Sequence, residues 1–239
     1  MIANKTFLIL IFCFPMFLIG QDLDELKVSV LTGPSICWFS TNDNKIFPDG
    51  AKLGYKAHVE GEYMFNSKFS ITLGMGLSLG QGGTLRYAQG GHLWSDSELN
   101  IPNPDSLPNN VSLSYNINYL DFPIGFKLRT QDFGKFRFYF HAPEFQISLR
   151  TKARGKIEGI GVSSEDERIN EQINFINISY SLGAGTEYQY SEGLTLIGGL
   201  RFVQNITDIT DDSGIYFDGS RENSKGILSA VDLRIGVLF

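Results

Sequence analysis

The stretch from Ile227 to Phe239 limits the folds open to this chain more than any other. Val231, Leu233, Ile235, Val237 and Phe239 occupy every second position, and Ala230, Asp232, Arg234, Gly236 and Leu238 lie between them. Side chains alternate between the two faces of a β-strand, so one face here is hydrocarbon and the other carries both charges. Such a strand needs an apolar medium on one side and a charge-accepting one on the other. The edge strand of a soluble sandwich is the ordinary alternative.

The same alternation recurs upstream. Leu26, Val28 and Val30 oppose Lys27 and Ser29; Leu53 to Phe65 oppose Lys52 to Met64; Phe69 to Leu79 oppose Ser70 to Gly80. Leu120 to Leu128 oppose Asp121, Lys127 and Arg129, while in Val111 to Tyr119 the apolar residues take the other parity, which predicts a shift of the pleat near Tyr119. Phe136, Phe138 and Phe140 give way to Phe145, Ile147 and Leu149 across Ala142-Pro143, where one extra residue predicts a bulge. Strands from Ile176 and Leu194 complete a set of eight with the last. Turns fall near 66, 131 and 191, and long connections at 40–50, 81–110, 151–172 and 208–225. Short turns at one pole and long loops at the other suit a membrane barrel, whereas a sandwich has no reason to segregate them. The expected fold is all-β, an eight-stranded antiparallel up-and-down transmembrane β-barrel. Its rival is a soluble lipocalin-like barrel with an apolar pocket.

In hydrocarbon every backbone group must be paired, so the sheet has to close, and eight strands leave room inside for side chains only. An Arg or Lys turned to lipid at mid-bilayer costs about 2–4 kcal/mol. The charged rows therefore belong inside. The predicted lumen network is Lys56, His58, Glu60, Glu62, Asp121, Lys127, Arg137, His141, Arg150, Glu187, Arg201, Asp232 and Arg234, with both signs present for pairing. Small residues on the same faces, among them Gly74, Gly76, Gly183 and Gly185, make the space.

Residues 1–20 join Lys5 to a short apolar run ending at Gly20, the layout of a secretory signal peptide, which leaves 21–239 as the barrel domain. Cys37 is then the single mature cysteine, so neither a disulfide framework nor a cysteine metal cluster is expected, and Cys37 reads as an apolar filler. A net charge of −6 argues against a nucleic-acid surface.

The segment Tyr119-Leu120-Asp121-Phe122-Pro123-Ile124-Gly125-Phe126-Lys127-Leu128 resembles the Tyr-Leu-Glu/Asp-aliphatic-Pro-aliphatic motif of the outer-membrane β-barrel family common in Bacteroidetes, porin-like and PorT-type proteins included. A terminal aromatic such as Phe239 resembles the signal read by barrel-assembly machinery. The resemblance implies an integral outer-membrane protein whose partners are outer-membrane lipids and that machinery. Loops 81–110 and 151–172 are candidate sites for a protein or glycan partner. The expected role is binding or scaffolding. Alternatives are a narrow solute porin, a PorT-type accessory of type IX protein secretion, or an outer-leaflet lipid-modifying enzyme.

An enzyme of that kind needs its groups near the lipid-facing wall, while His58, His141 and Ser148 point inward, so a non-enzymatic protein is expected. The acidic runs Glu165-Asp166-Glu167 and Asp208, Asp211, Asp212 and Asp218 have carboxylates suited to calcium but no EF-hand spacing, and read as solvated loops; no metal or cofactor is expected. Trp94 sits in a Pro-rich connection, either as an external contact or packing that loop on itself.

Overall fold

The computed structural model describes residues 25–239, so the signal-peptide expectation for residues 1–20 lies outside the described residues. The strands are β1 (Leu26–Ser40), β2 (Ile46–Met64), β3 (Phe69–Tyr87), β4 (Gly91–His92), β5 (Val111–Arg129), β6 (Phe136–Gly159), β7 (Val162–Arg168), β8 (Ile176–Ser191), β9 (Leu194–Asn205), β10 (Ile215–Tyr216) and β11 (Ile227–Leu238). Eight of them form one antiparallel ring in the order β1-β2-β3-β5-β6-β8-β9-β11, closed by β11 against β1 and by β5 against β6. Closure leaves no sheet edge in the ring, as hydrocarbon requires. β7 adds to the outer end of β6, and β4 pairs with β10 in a small separate sheet.

The alternation places its apolar rows outside. Leu53, Leu73 and Leu200 are 69%, 63% and 59% exposed, and the same is true along every ring strand, which water would not tolerate over so large a surface. The outward rows end at Trp38, Leu53, Leu79, Leu120, Leu149, Ile176, Ile206 and Val231. Aromatic residues ring the turn end: Tyr63, Phe65, Phe69, Phe133, Phe136, Phe138, Tyr190 and Phe239 are exposed there.

Beyond that belt the barrel is lopsided. β2, β3, β5 and β6 continue as a projecting wall, while β8 begins at Ile176 and β9 ends at Asn205. Three of the four long connections are correspondingly shorter than the alternation predicts, while the last, 206–226, is slightly longer than the expected 208–225. The first spans 41–45, the second 88–110 because β3 runs on through Tyr87, and 151–172 is mostly the β6–β7 hairpin. Gly80, at φ 66°, explains the miss in β3: the register slips between Ser78 and Gln81, so the inward parity flips and the pattern breaks where the strand does not. In β6 the outward row turns from apolar to charged at Lys152, Arg154 and Lys156, which disguises Ala153, Gly155 and Ile157 as loop.

The predicted bulge at the proline is present, with a register slip between His141 and Glu144. The predicted pleat shift near Tyr119 is not. Val111, Leu113, Tyr115, Ile117, Tyr119, Asp121 and Lys127 are all buried on one face of β5, so the chemistry of the inward row changes there and the pleat does not.

Candidate functional site

The interior has two layers. In the layer nearer the short turns, Lys127 Nζ lies 2.7 Å from Glu187 and 3.3 Å from Glu62. Arg129 spans the same two carboxylates, donating from Nε to Glu187 at 2.7 Å and from Nη2 to Glu62 at 2.8 Å. A second cluster centres on Glu144, which accepts from Arg201 and, at 2.9 Å, from Arg234, with His141 Nδ1 at 3.0 Å. Arg201 Nε reaches on to Asp232 at 2.9 Å; Lys56 and Ser35 also donate to Asp232, at 3.0 and 2.5 Å. Glu60 lies 3.4 Å from Arg234. A third centre is Asp121, which accepts from Ser78, from Ser148 at 2.7 Å and lies 3.1 Å from His58.

Of the predicted network, Lys56, His58, Glu60, Glu62, Asp121, Lys127, His141, Glu187, Arg201, Asp232 and Arg234 are buried inside together. Arg137 is not among them: it pairs with exposed Asp132 at 2.6 Å beside the short turn. Nor is Arg150, half-buried with its Nε on the Ile173 carbonyl at 3.0 Å, because an extra residue at Thr151 turns it from the row. Arg129 and Glu144 are the residues missed. Arg129 continues the parity of Lys127, and Glu144 falls inward once the proline bulge is counted. Five cations thus face six carboxylates, each within reach of an opposite charge or a hydroxyl, as burial demands.

The small faces predicted for β3 and β8 do make the room. A Cβ on Gly76 would lie 1.9 Å from the His58 ring, and one on Gly74 2.7 Å from the Glu60 side chain. The Ser148 hydroxyl bonds Asp121 and not an imidazole, so no serine-histidine pair forms there.

The second layer is apolar and lies on the side of the long loops. Leu85, Leu113, Tyr115 and Ile117 face inward from the wall and Phe39 from the end of β1, and they are covered by Leu93, Trp94, Leu107, Ile209 and Tyr216 from the connections 88–110 and 206–226. Trp94 is 2% exposed; its ring meets Tyr115 edge-on at 5.4 Å and its Nε1 donates to the Tyr115 hydroxyl at 3.2 Å, so it packs the loop. Tyr87 bonds Tyr115 and donates to Glu222 at 3.1 Å, and Ser224 donates to Glu222 at 2.9 Å. Burial pushes the Glu222 carboxyl up to about 7, against those two hydrogen bonds; Asp212 and Asp43 add repulsion.

Cys37 sits at the junction of the layers, its Sγ 2.9 Å from Gln81 Oε1. The space left at that junction, lined by Lys56, Gln81, Tyr119, Gln146 and Asn177, amounts to about 20 Å³, room for one water. Among the described residues no three His, Cys, Asp or Glu side chains are grouped to hold a metal ion, the acidic loops included. Glu167 is instead buried against Asn100 and Ser164.

A family profile described as outer membrane protein beta-barrel domain matches residues 21–211. No curated protein matches the chain. Similar solved structures include Neisserial surface protein A, 11% identical over 88% of this chain and 95% of that one with a TM-score of 0.45. OprG of Pseudomonas aeruginosa is 12% identical over 89% and 95%, with a TM-score of 0.42. Ail, the attachment invasion locus protein of Yersinia pestis, in complex with the heparin analogue sucrose octasulfate, is 10% identical over 90% and 99%, with a TM-score of 0.39.

Proposed function

The chain belongs to the outer membrane protein β-barrel domain family, and we propose that within it this protein is a closed, non-enzymatic barrel holding a loop-built recognition platform above the outer leaflet. One observation carries this reading: above a recess of about 110 Å³ at the turn end, beside Arg129 and Glu187, the interior is filled by ion pairs in one layer and by a capped apolar core in the other, with about 20 Å³ free between them. A solute would have to displace buried pairs such as Arg201 with Asp232 and Glu144, and breaking a buried pair costs about 3–5 kcal/mol. The wall of β2, β3, β5 and β6, with its cap, then presents the loops to the outside on a rigid base. The Tyr119 to Leu128 segment supports a place in the Bacteroidetes branch of the family, with residues 1–20 as a cleaved signal peptide and Phe239 as the mark for assembly.

Planar-bilayer recording decides between this and a narrow porin. The folded protein should give no discrete conductance steps, and steady channels of uniform size would refute a closed lumen.

A further inference from the structure

The outer face of the projecting wall carries its charge on one side of the molecule only, immediately beyond the lipid-facing rows. Along β6 the outward positions after Leu149 are Lys152, Arg154 and Lys156. Across β5 they meet Asn118, Asn116 and Ser114 in register. Lys52 stands one residue past Leu53 on β2 and completes the rim of a shallow concavity of about 430 Å³, lined by these four cations together with Ser114, Asn116, Glu165 and Asp166. At the corresponding level on β1 and β9 the belt ends in Trp38 and Ile206, without charge.

Height identifies what this patch meets. Lys152 and Arg154 lie three and five residues past Leu149. At about 3.3 Å per residue on a strand tilted by about 45°, they stand roughly 7–12 Å above the acyl belt. The polar layer is about 5–8 Å deep on each side of the hydrocarbon, so these backbone positions stand at its outer edge, with side chains long enough to reach down into it. Four cations against three carboxylates, Glu165, Asp166 and the outward Glu158 next along β6, leave an excess of one positive charge. The pairs that offset it, Arg154 with Asp166 at 3.4 Å and Lys156 with Glu158 at 3.0 Å and with Glu165 at 3.4 Å, are open to water and weak. Lys152 and Lys52 make no ion pair among the described residues. Amide and hydroxyl side chains between the cations supply the donors and acceptors that sugar hydroxyls take.

The geometry points to a binding surface for the phosphorylated sugar headgroup of the outer-leaflet glycolipid, seated in this concavity with its acyl chains on the belt below. Lys152 and Arg154 hold a phosphate, which strong charge-assisted hydrogen bonds favour. Lys52 closes the other side, and Asn116 and Ser114 contact the sugar. The surface is independent of whether the lumen conducts, so this inference and the closed-barrel reading can fail separately.

Native mass spectrometry of the full-length protein, released from detergent with diphosphoryl lipid A, tests it. The wild type should retain diphosphoryl lipid A about tenfold more tightly than the dephosphorylated lipid of the same acyl composition, the difference one charge-assisted contact makes. The K152Q/R154Q double variant should lose that preference, while K135Q at the opposite end keeps it. Equal retention of the two lipids by the wild type would overturn the assignment without recourse to any variant. So would an unchanged preference in a double variant that still shows the heat-dependent gel shift of a folded barrel, or phosphatidylglycerol held as tightly as diphosphoryl lipid A.

Discussion

Glu222 lies beneath the long loops with two hydroxyl donors and, among the described residues, no cation paired to it, so its proton is coupled to the closure of the cap. Burial raises its pKa from 4.5 to about 7, so the folded cap favours the protonated acid. Its contribution is therefore fully present below the unfolded value, declines as pH climbs past about 4.5, and is gone above about 7. The shift corresponds to about 3 kcal/mol at the upper limit. Asp208, also raised by burial, acts in the same direction. Hydrogen exchange in 88–110 and 206–226, corrected for intrinsic rate, should accelerate between pH 5 and pH 8 relative to the barrel strands. Glu222→Gln, which keeps the hydrogen-bonding oxygen without the charge, should flatten most of that dependence. A cap whose protection is the same at both pH values would show that Glu222 does not govern it.

At the scale of the strand, β3 shows how much of this fold is written in alternation and where that writing becomes unreadable. Its segment from Phe69 to Leu79 is legible because one medium lies on each side, hydrocarbon outside and charge inside. Gly76 reads there as spacing, and the His58 ring does fill the space it leaves. Gly76→Val would drive its side chain into that ring and into the Ala57 carbonyl of the paired strand, so it should destabilise the barrel by about 1–3 kcal/mol, the usual range for overpacking. A urea midpoint unchanged from wild type in the same lipid would mean that His58 has room to move aside. Past Gly80 the two-media rule no longer holds, because the wall stands in water with an oily interior. Leu85 and Tyr87 then face inward where the lower strand has Ser70 and Thr72, and the inversion looks like a loop in sequence. The same inversion on β5 mimics a pleat shift. Of the ion-pair network, most members follow from parity alone. Glu144 required counting through the proline bulge, and the displacement of Arg150 depends on an inserted residue that no pattern of apolar positions announces.

For the molecule as a whole, these elements imply a particular seat in the membrane: eight strands crossing it, and a four-stranded wall with its cap wholly above it. The chain has two tryptophans, and they fall on the two sides of that boundary. Trp38 faces outward at the upper end of β1, half-buried beside the ring of Phe202 at 6.4 Å, where aromatic side chains sit between acyl chains and headgroups. Trp94 is enclosed by the cap and by Tyr115 on the inner side of the wall, away from lipid. Single-tryptophan proteins separate the two signals. In the W94F variant the remaining Trp38 emission should be quenched by lipids brominated on the acyl chain, most strongly by bromines near the headgroup end. In the W38F variant Trp94 should be insensitive to bromine at every depth, and to aqueous acrylamide as well, because both lipid and solvent are excluded from it. If Trp94 were quenched by brominated chains as strongly as Trp38, the wall would lie in the bilayer. The charged row of β6 would then face acyl chains at about 2–4 kcal/mol for each Lys or Arg carried to the midplane, and this seating of the barrel would be wrong.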